Sequence, residues 1–310
     1  HTGSTMKKWL TLLGASLLGM SSHLTYAHEY LLPTDGSRII GENVSYTVPD
    51  DKRSLETIAA QYQVGLLNMM EANPGIDPLL PEAGKTLQIP LQMILPDTVR
   101  KGIVINLAEL RLYYYPKEGG TVDVYPIGIG QLGRETPEMV TSVSQLIKDP
   151  TWTPTANIRK NYAAKGITLP AVVPAGPDNP MGAYALRLAH SRGEYLIHGT
   201  NADFGIGLRV SSGCIRLRPD DIETLFNVVP KGSRVQVINK PIKFTETADG
   251  KQFIEVHQPL SQNEDDDPQT MPLTFTKQFT AWYESGKVDK AKVDAEIIRR
   301  SGIPVDVTAY

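Results

Sequence analysis

The sequence has 310 residues, 31 lysines and arginines against 34 aspartates and glutamates, and a formal charge of −3. It lacks the basic excess that neutralises phosphates, which argues against nucleic acid as a partner, and its single cysteine, Cys214, cannot form an internal disulfide. At roughly 100–200 residues per domain the length leaves room for a catalytic domain and a smaller one.

The chain opens with a segment that reads as an export signal. Lys7 and Lys8 precede an apolar run from Trp9 to Leu18 that is too short to span a bilayer. Thr25 and Ala27 then occupy the −3 and −1 positions of a signal-peptidase site, so the mature chain is expected to begin at His28 and to act in the periplasm. His1 to Thr5, ahead of Met6, read as a tag remnant. Removing Lys7 and Lys8 leaves 29 basic residues against 34 acidic, a net charge of −5.

Residues 44–90 form the first unit. Val44 to Val48 reads as a short strand, and Ser54 caps a helix with Leu55, Ile58 and Ala59 at helical spacing. A second helix begins near Leu66 and stops at Asn73-Pro74-Gly75, and Thr86 to Ile89 closes the unit as a strand. The run Leu55…Ile58-Ala59…Tyr62…Val64, Ala72-Asn73-Pro74-Gly75 and Leu87-Gln88-Ile89-Pro90 resembles a LysM domain. That resemblance implies binding to N-acetylglucosamine-containing glycan. Each of these residues would equally serve a packing module.

From Arg100 the pattern becomes β-rich. Strands are expected at Gly102–Leu107, Arg111–Tyr115 and Val122–Ile127, with Gly119-Gly120 as a turn. Residues 150–182, rich in proline and glycine, read as a long ordered loop over the catalytic face. Strands follow at Ala183–Leu188 and Tyr195–His198, then a helix from Pro219 to Phe226 and a last core strand from Arg234 to Ile238. Ser261–Pro268 reads as an acidic linker and Val288–Arg300 as a helix. No role is assigned to residues 240–310. The expected class is mainly β, with a small βααβ unit and a C-terminal tail.

The chemistry concentrates in one stretch. His198 ends a strand before the glycine-rich Gly199–Gly207, and Ser211-Ser212-Gly213-Cys214-Ile215-Arg216-Leu217 follows. A lone thiol in an exported chain is inert and buried, paired between chains, or reactive. A neighbouring imidazole makes it reactive by taking its proton and stabilising the thiolate. His190 is the other histidine of this region, but it precedes a hairpin turn and is a poor candidate base. Gly213 lets substrate approach the backbone, and the helix starting at Pro219 offers amides for an oxyanion. Arg216 either pairs with a substrate carboxylate or braces the loop to an acid such as Asp220. Arg209 is the weaker cation. Ser211 and Ser212 are rival nucleophiles, although neither sits in Gly-x-Ser-x-Gly.

His-Gly-Thr followed by Ser-x-Gly-Cys-Ile-Arg-Leu resembles the YkuD-type L,D-transpeptidase motif, over roughly residues 98–239. With the LysM-like unit and the stretch Val173-Pro174-Ala175-Gly176-Pro177-Asp178-Asn179-Pro180-Met181-Gly182, the chain is similar to the ErfK/YbiS/YcfS/YnhG group. The resemblance implies Cys214 as acylated nucleophile, His198 as base and the Gly199 carbonyl as its orienting partner, with Ser212 and Gly213 in the oxyanion loop. It implies a cell-wall acyltransferase that forms a thioester with a tetrapeptide stem, releases D-alanine and passes the acyl group to an amine, foremost a lysine of Braun-type lipoprotein. Alternatives are 3→3 cross-linking, hydrolysis, or a non-catalytic wall-binding module. Many family members carry histidine where Ser212 stands. No cofactor is expected, since neither a ligand-spaced His/Cys cluster nor a phosphate loop is present.

Overall fold

A computed structural model describes residues 28–129, 136–201, 214–263 and 265–310. The described chain opens with β1 (Glu29–Leu31) and β2 (Ile39–Ile40). The small unit follows as β3 (Val44–Thr47), α1 (Leu55–Gln61), α2 (Leu66–Ala72) and β4 (Thr86–Ile89). This is the strand, helix, helix, strand order expected from the sequence. Ser54 caps α1 by accepting from the Thr57 amide, and Leu55, Ile58, Met69, Leu87 and Ile89 form a separate core. Asn73 ends α2 and holds it to β4. Its amide donates to the Met69 and Gln88 carbonyls, and its carbonyl accepts from the Gln88 amide.

The central body follows. Its elements are β5 (Met93–Ile94), β6 (Gly102–Asn106), β7 (Arg111–Tyr115), β8 (Thr121–Pro126), β9 (Met139–Lys148), α3 (Ala156–Ala163), β10 (Tyr184–Leu188), β11 (Leu196–His198), β12 (Ile215–Arg216), α4 (Pro219–Val228) and β13 (Arg234–Ile238). Nine strands form one sheet in the order β1-β8-β7-β6-β13-β9-β10-β11-β12. The sheet curls far enough that its last strand reaches the chain leaving β8. The Gly128 amide donates to the Arg216 carbonyl at 2.8 Å, and the Arg216 amide returns a bond to the Gly128 carbonyl at 2.9 Å.

Strands β6 to β8 are apolar on both faces because both are covered. Ile103, Ile105, Leu112 and Tyr125 fill the inside of the curl with Ile222 and Leu225 of α4. Val104, Tyr113, Val122 and Val124 face outward, under Ile40 of β2 and Met93 of β5. His28 fastens the start of the described chain, with Nδ1 2.7 Å from the Val124 carbonyl and Nε2 2.6 Å from Asp221 of α4.

The sequence reading needs three corrections. Residues 150–182 are not all loop, because α3 is a helix capped by Thr155. It was hidden because it buries no residue and so shows no apolar period. Strand β9 also went unread, since its alternation is mostly of polar side chains. The C-terminal region holds β14 (Ile242–Glu246), β15 (Gln252–Val256), α5 (Lys277–Tyr283), α6 (Lys290–Arg299) and β16 (Val305–Asp306), where only one helix was expected. Its three strands and two helices share a core of Ile254, Val256, Phe279, Val293 and Val307.

The three parts meet at a buried ionic junction. Glu71 of α2, Glu109 and Arg111 beside β7, and Lys243, Glu255 and His257 of the C-terminal region are all buried. Three acids thus face three bases. Lys243 Nζ lies 2.9 Å from both Glu109 and Glu255, Arg111 lies 3.2 Å from the same two acids, and His257 Nδ1 is 3.0 Å from Glu71. Glu109, Glu255 and His257 converge closely enough to ligate a cation, but Lys243 and Arg111 already supply the positive charge there. Among the described residues no helix is long and apolar enough to cross a membrane.

Candidate active site

The site is built where β10, β11 and β12 end the sheet. β11 pairs antiparallel with β10, placing Ala185 opposite His198, and parallel with β12, placing Ile197 opposite Ile215 and His198 opposite Arg216. Ile197, Ile215 and Leu217 all lie in the core. Side chains alternate along a strand, so Leu196, His198 and Arg216 project from the other face. The chain returns at Cys214, whose next two residues pair with the strand carrying His198, and whose sulfur lies near the Glu194 carbonyl and the Leu196 backbone.

His198 is 4% exposed. Its Nδ1 lies 2.6 Å from the Gly199 carbonyl. A carbonyl only accepts, so Nδ1 carries the proton of the neutral ring and Nε2 is left with the basic lone pair. Burial pushes the imidazole down to about 4, and the Arg216 guanidinium adds to this, while the Gly199 and Met181 carbonyls oppose it. The ring is thus neutral, and a free base, at any pH well above 4.

Cys214 is partly buried, with Sγ 3.7 Å from the Glu194 carbonyl. Burial raises the thiol above its usual value, against the Leu196 backbone and the Arg187 cation, which lower it. At neutral pH the pair is therefore thiol and imidazole, not thiolate and imidazolium. Such a pair performs nucleophilic chemistry when the base takes the proton as attack proceeds.

Arg216 stands next to His198 with a partly buried guanidinium whose Nε has no hydrogen-bond partner among the described residues. Its pKa is lowered by burial. A guanidinium so placed can meet an anion at this face. His190 lies at the β10–β11 turn, packed against the Tyr195 ring, as the sequence suggested. Ser211, Ser212, Gly213 and Arg209 lie outside the described residues.

Of the first amides of α4, expected as donors to an oxyanion, those of Asp221 and Ile222 donate to the Arg218 carbonyl at 3.1 and 3.0 Å. Moreover, the Arg218 side chain points away to Glu56 and the Val64 carbonyl of the small unit. The sequence also gave no sign of the Glu194 and Met181 carbonyls or of Arg187, which donates to the Gly193 carbonyl and steadies the turn before Glu194. Two of these act through main-chain atoms, which no side-chain pattern reveals.

A family model described as the L,D-transpeptidase catalytic domain matches residues 100–237, and one described as the L,D-transpeptidase C-terminal domain matches residues 241–307. The Escherichia coli K12 protein named "Probable L,D-transpeptidase YcfS" is 55% identical over 310 residues, covering 98% of this chain and 95% of its own. The chain belongs to the L,D-transpeptidase family. As an L,D-transpeptidase it is an acyltransferase of peptidoglycan. A second E. coli K12 relative, "Probable L,D-transpeptidase ErfK/SrfK", is 53% identical over 304 residues and covers 97% of each chain. The solution structure of an Enterococcus faecium L,D-transpeptidase catalytic domain is 23% identical, covers 46% of this chain and 100% of its own, and has a TM-score of 0.34. The stretch left without a role in the sequence is thus the part matched by the C-terminal domain of L,D-transpeptidases.

Proposed function

We propose that Cys214 is the acylated nucleophile of this L,D-transpeptidase and His198 its general base, with the Gly199 carbonyl fixing the imidazole tautomer. In the first half-reaction Cys214 Sγ attacks the carbonyl of the diamino-acid third residue of a tetrapeptide stem, as Nε2 of His198 takes the thiol proton. That proton passes to the departing D-alanine amine, the peptide bond breaks, and a thioester remains. In the second half-reaction an amine attacks the thioester, loses its proton to His198, and the thiol is restored. The acceptor in this reading is a lysine of Braun-type lipoprotein. Gly213 and Ser212 would shape the oxyanion loop, and Arg216 would receive a stem carboxylate.

The observation that supports this reading is the strand register, which pairs His198 with Arg216, two residues from Cys214, while Ile197 and Ile215 enter the core. The resting protonation states support it, because a neutral imidazole and a neutral thiol need no compensating charge in a dry site. Residues 44–90 would dock the enzyme on glycan as a LysM unit, and residues 1–27 would direct it to the periplasm.

The test is incubation with purified tetrapeptide muropeptide, with and without lipoprotein, followed by product masses. D-alanine release and a lipoprotein–tripeptide adduct are expected, and both should vanish in Cys214→Ala. His198→Ala should slow turnover by about 10²- to 10⁴-fold. Stem dimers without lipoprotein adduct would move the acceptor to a neighbouring stem, and free tripeptide would move it to water. A Cys214→Ala protein that still released D-alanine at the parental rate would end the assignment.

A further inference from the structure

We propose that Asn179 is a positioning residue for the reaction, fixing the turn 179–182 so that Met181 and Gly182 press on the His198–Thr200 backbone and keep the imidazole dry and aligned. This rests on the reading of His198 as the base.

Asn179 is out of character with its surroundings. Pro174 to Asp178 are all exposed, yet Asn179 is fully buried. Burying an amide is costly unless its groups are bonded, and here both donors and the acceptor are used. Nδ2 donates to the Pro150 carbonyl at 2.9 Å and to the Pro174 carbonyl at 3.2 Å, and Oδ1 accepts from the Met181 amide at 2.8 Å. The main chain tightens the same turn, with the Gly182 amide bonded to the Asn179 carbonyl at 3.2 Å.

A buried asparagine that merely tied a loop together would end there. This one reaches the site through its next three residues. The Met181 backbone lies close enough to the His198 ring to raise its pKa against burial. Gly182 has φ +70°, and a Cβ there would stand 2.7 Å from the Thr200 amide nitrogen and 3.0 Å from the Gly199 carbonyl carbon. Glycine is therefore the residue this contact admits, and the backbone of the turn lies directly on that of the base. The amide that bonds Pro150 and Pro174 also closes the root of the 150–174 excursion, where Trp152 and Val173 exchange bonds of 2.9 and 2.7 Å. One side chain thus ties the excursion carrying α3 to the strand carrying His198.

The test compares Asn179→Ala and Gly182→Ala with the parent in three readouts: kcat and KM on tetrapeptide muropeptide, melting temperature, and the His198 titration followed by NMR of labelled imidazole. For a folded variant, kcat should fall about 10- to 100-fold, the loss that follows a misplacement of about 1 Å, with KM changed less than about twofold. Burial is the largest cause of the low His198 value, so water admitted by a loosened turn should move the titration from about 4 towards the ordinary 6.5. A purely structural role would lower the melting temperature without moving that titration. Either variant, folded and with parental kcat and titration, would overturn the proposal. His198→Ala separates the two readings, because parental turnover in that variant would remove the base assignment, whereas the titration reports on Asn179 independently of turnover.

Discussion

At the residue scale, the informative property of the candidate site is that His198 and Cys214 rest uncharged. Burial holds the His198 imidazole down and the Cys214 thiol up, so neither supplies a charge for the other to stabilise. Two measurements follow. Alkylation of Cys214 by iodoacetamide should be slow at pH 7 and rise about tenfold per pH unit into the alkaline range, as the thiolate fraction grows. A preformed ion pair would instead react at a nearly constant rate from about pH 5 upward. Turnover should fall as pH drops through about 4, where the imidazole gains its proton and ceases to be a base. His198 and Cys214 stand out in the sequence as candidates because the domain offers one thiol and two histidines. Their environment does not, since it is made of main-chain carbonyls from Gly199, Met181 and Glu194 that leave no mark in side-chain chemistry.

At the scale of elements, Gly102 shows how tightly the central sheet is drawn. It opens β6 with φ +60°, and a Cβ there would lie 2.2 Å from the Arg234 carbonyl at the start of β13. Gly102→Ala must strain the backbone and separate two parallel strands at the middle of the sheet. It should lower stability by at least about 2 kcal/mol, measured by urea unfolding. Ala at Gly119, a positive-φ position with open space around its Cβ, should cost only the local strain, about 1–2 kcal/mol. Elements that were legible carried a period: Leu55, Ile58 and Ala59 on α1, and the β-branched and aromatic runs of β6 to β8. Those that escaped carried none. β9 buries only Met139 and Val143 of its ten residues, and α3 has no buried face, so neither shows the apolar repeat from which type is read.

At the scale of the whole molecule, the junction of Glu71, Glu109, Arg111, Lys243, Glu255 and His257 binds three parts that the sequence presents as separate. His257 is held up at about 9 against burial by Glu71 and Glu255. A raised histidine stabilises fully below its unfolded value near 6.5 and loses that contribution as pH climbs through 9. Urea unfolding should therefore show stability falling between pH 7 and 10, by an amount on the order of 3 kcal/mol. Glu255 is held below its usual value chiefly by Lys243 and His257 in opposition to burial, so its share is present above the ordinary carboxylate range and disappears in strong acid. Glu71→Gln should flatten the alkaline slope and cost about 3–5 kcal/mol, because it leaves the buried imidazolium short of a counter-charge. The seam of the curled sheet has a different consequence. The two hydrogen bonds between Gly128 and Arg216 shut the cylinder two residues from Cys214, across a long separation in the chain. A polypeptide that has not yet completed this closure leaves the short strand beside Cys214 unpinned, so the edge that carries the thiol is fixed only when the two ends of the sheet are joined.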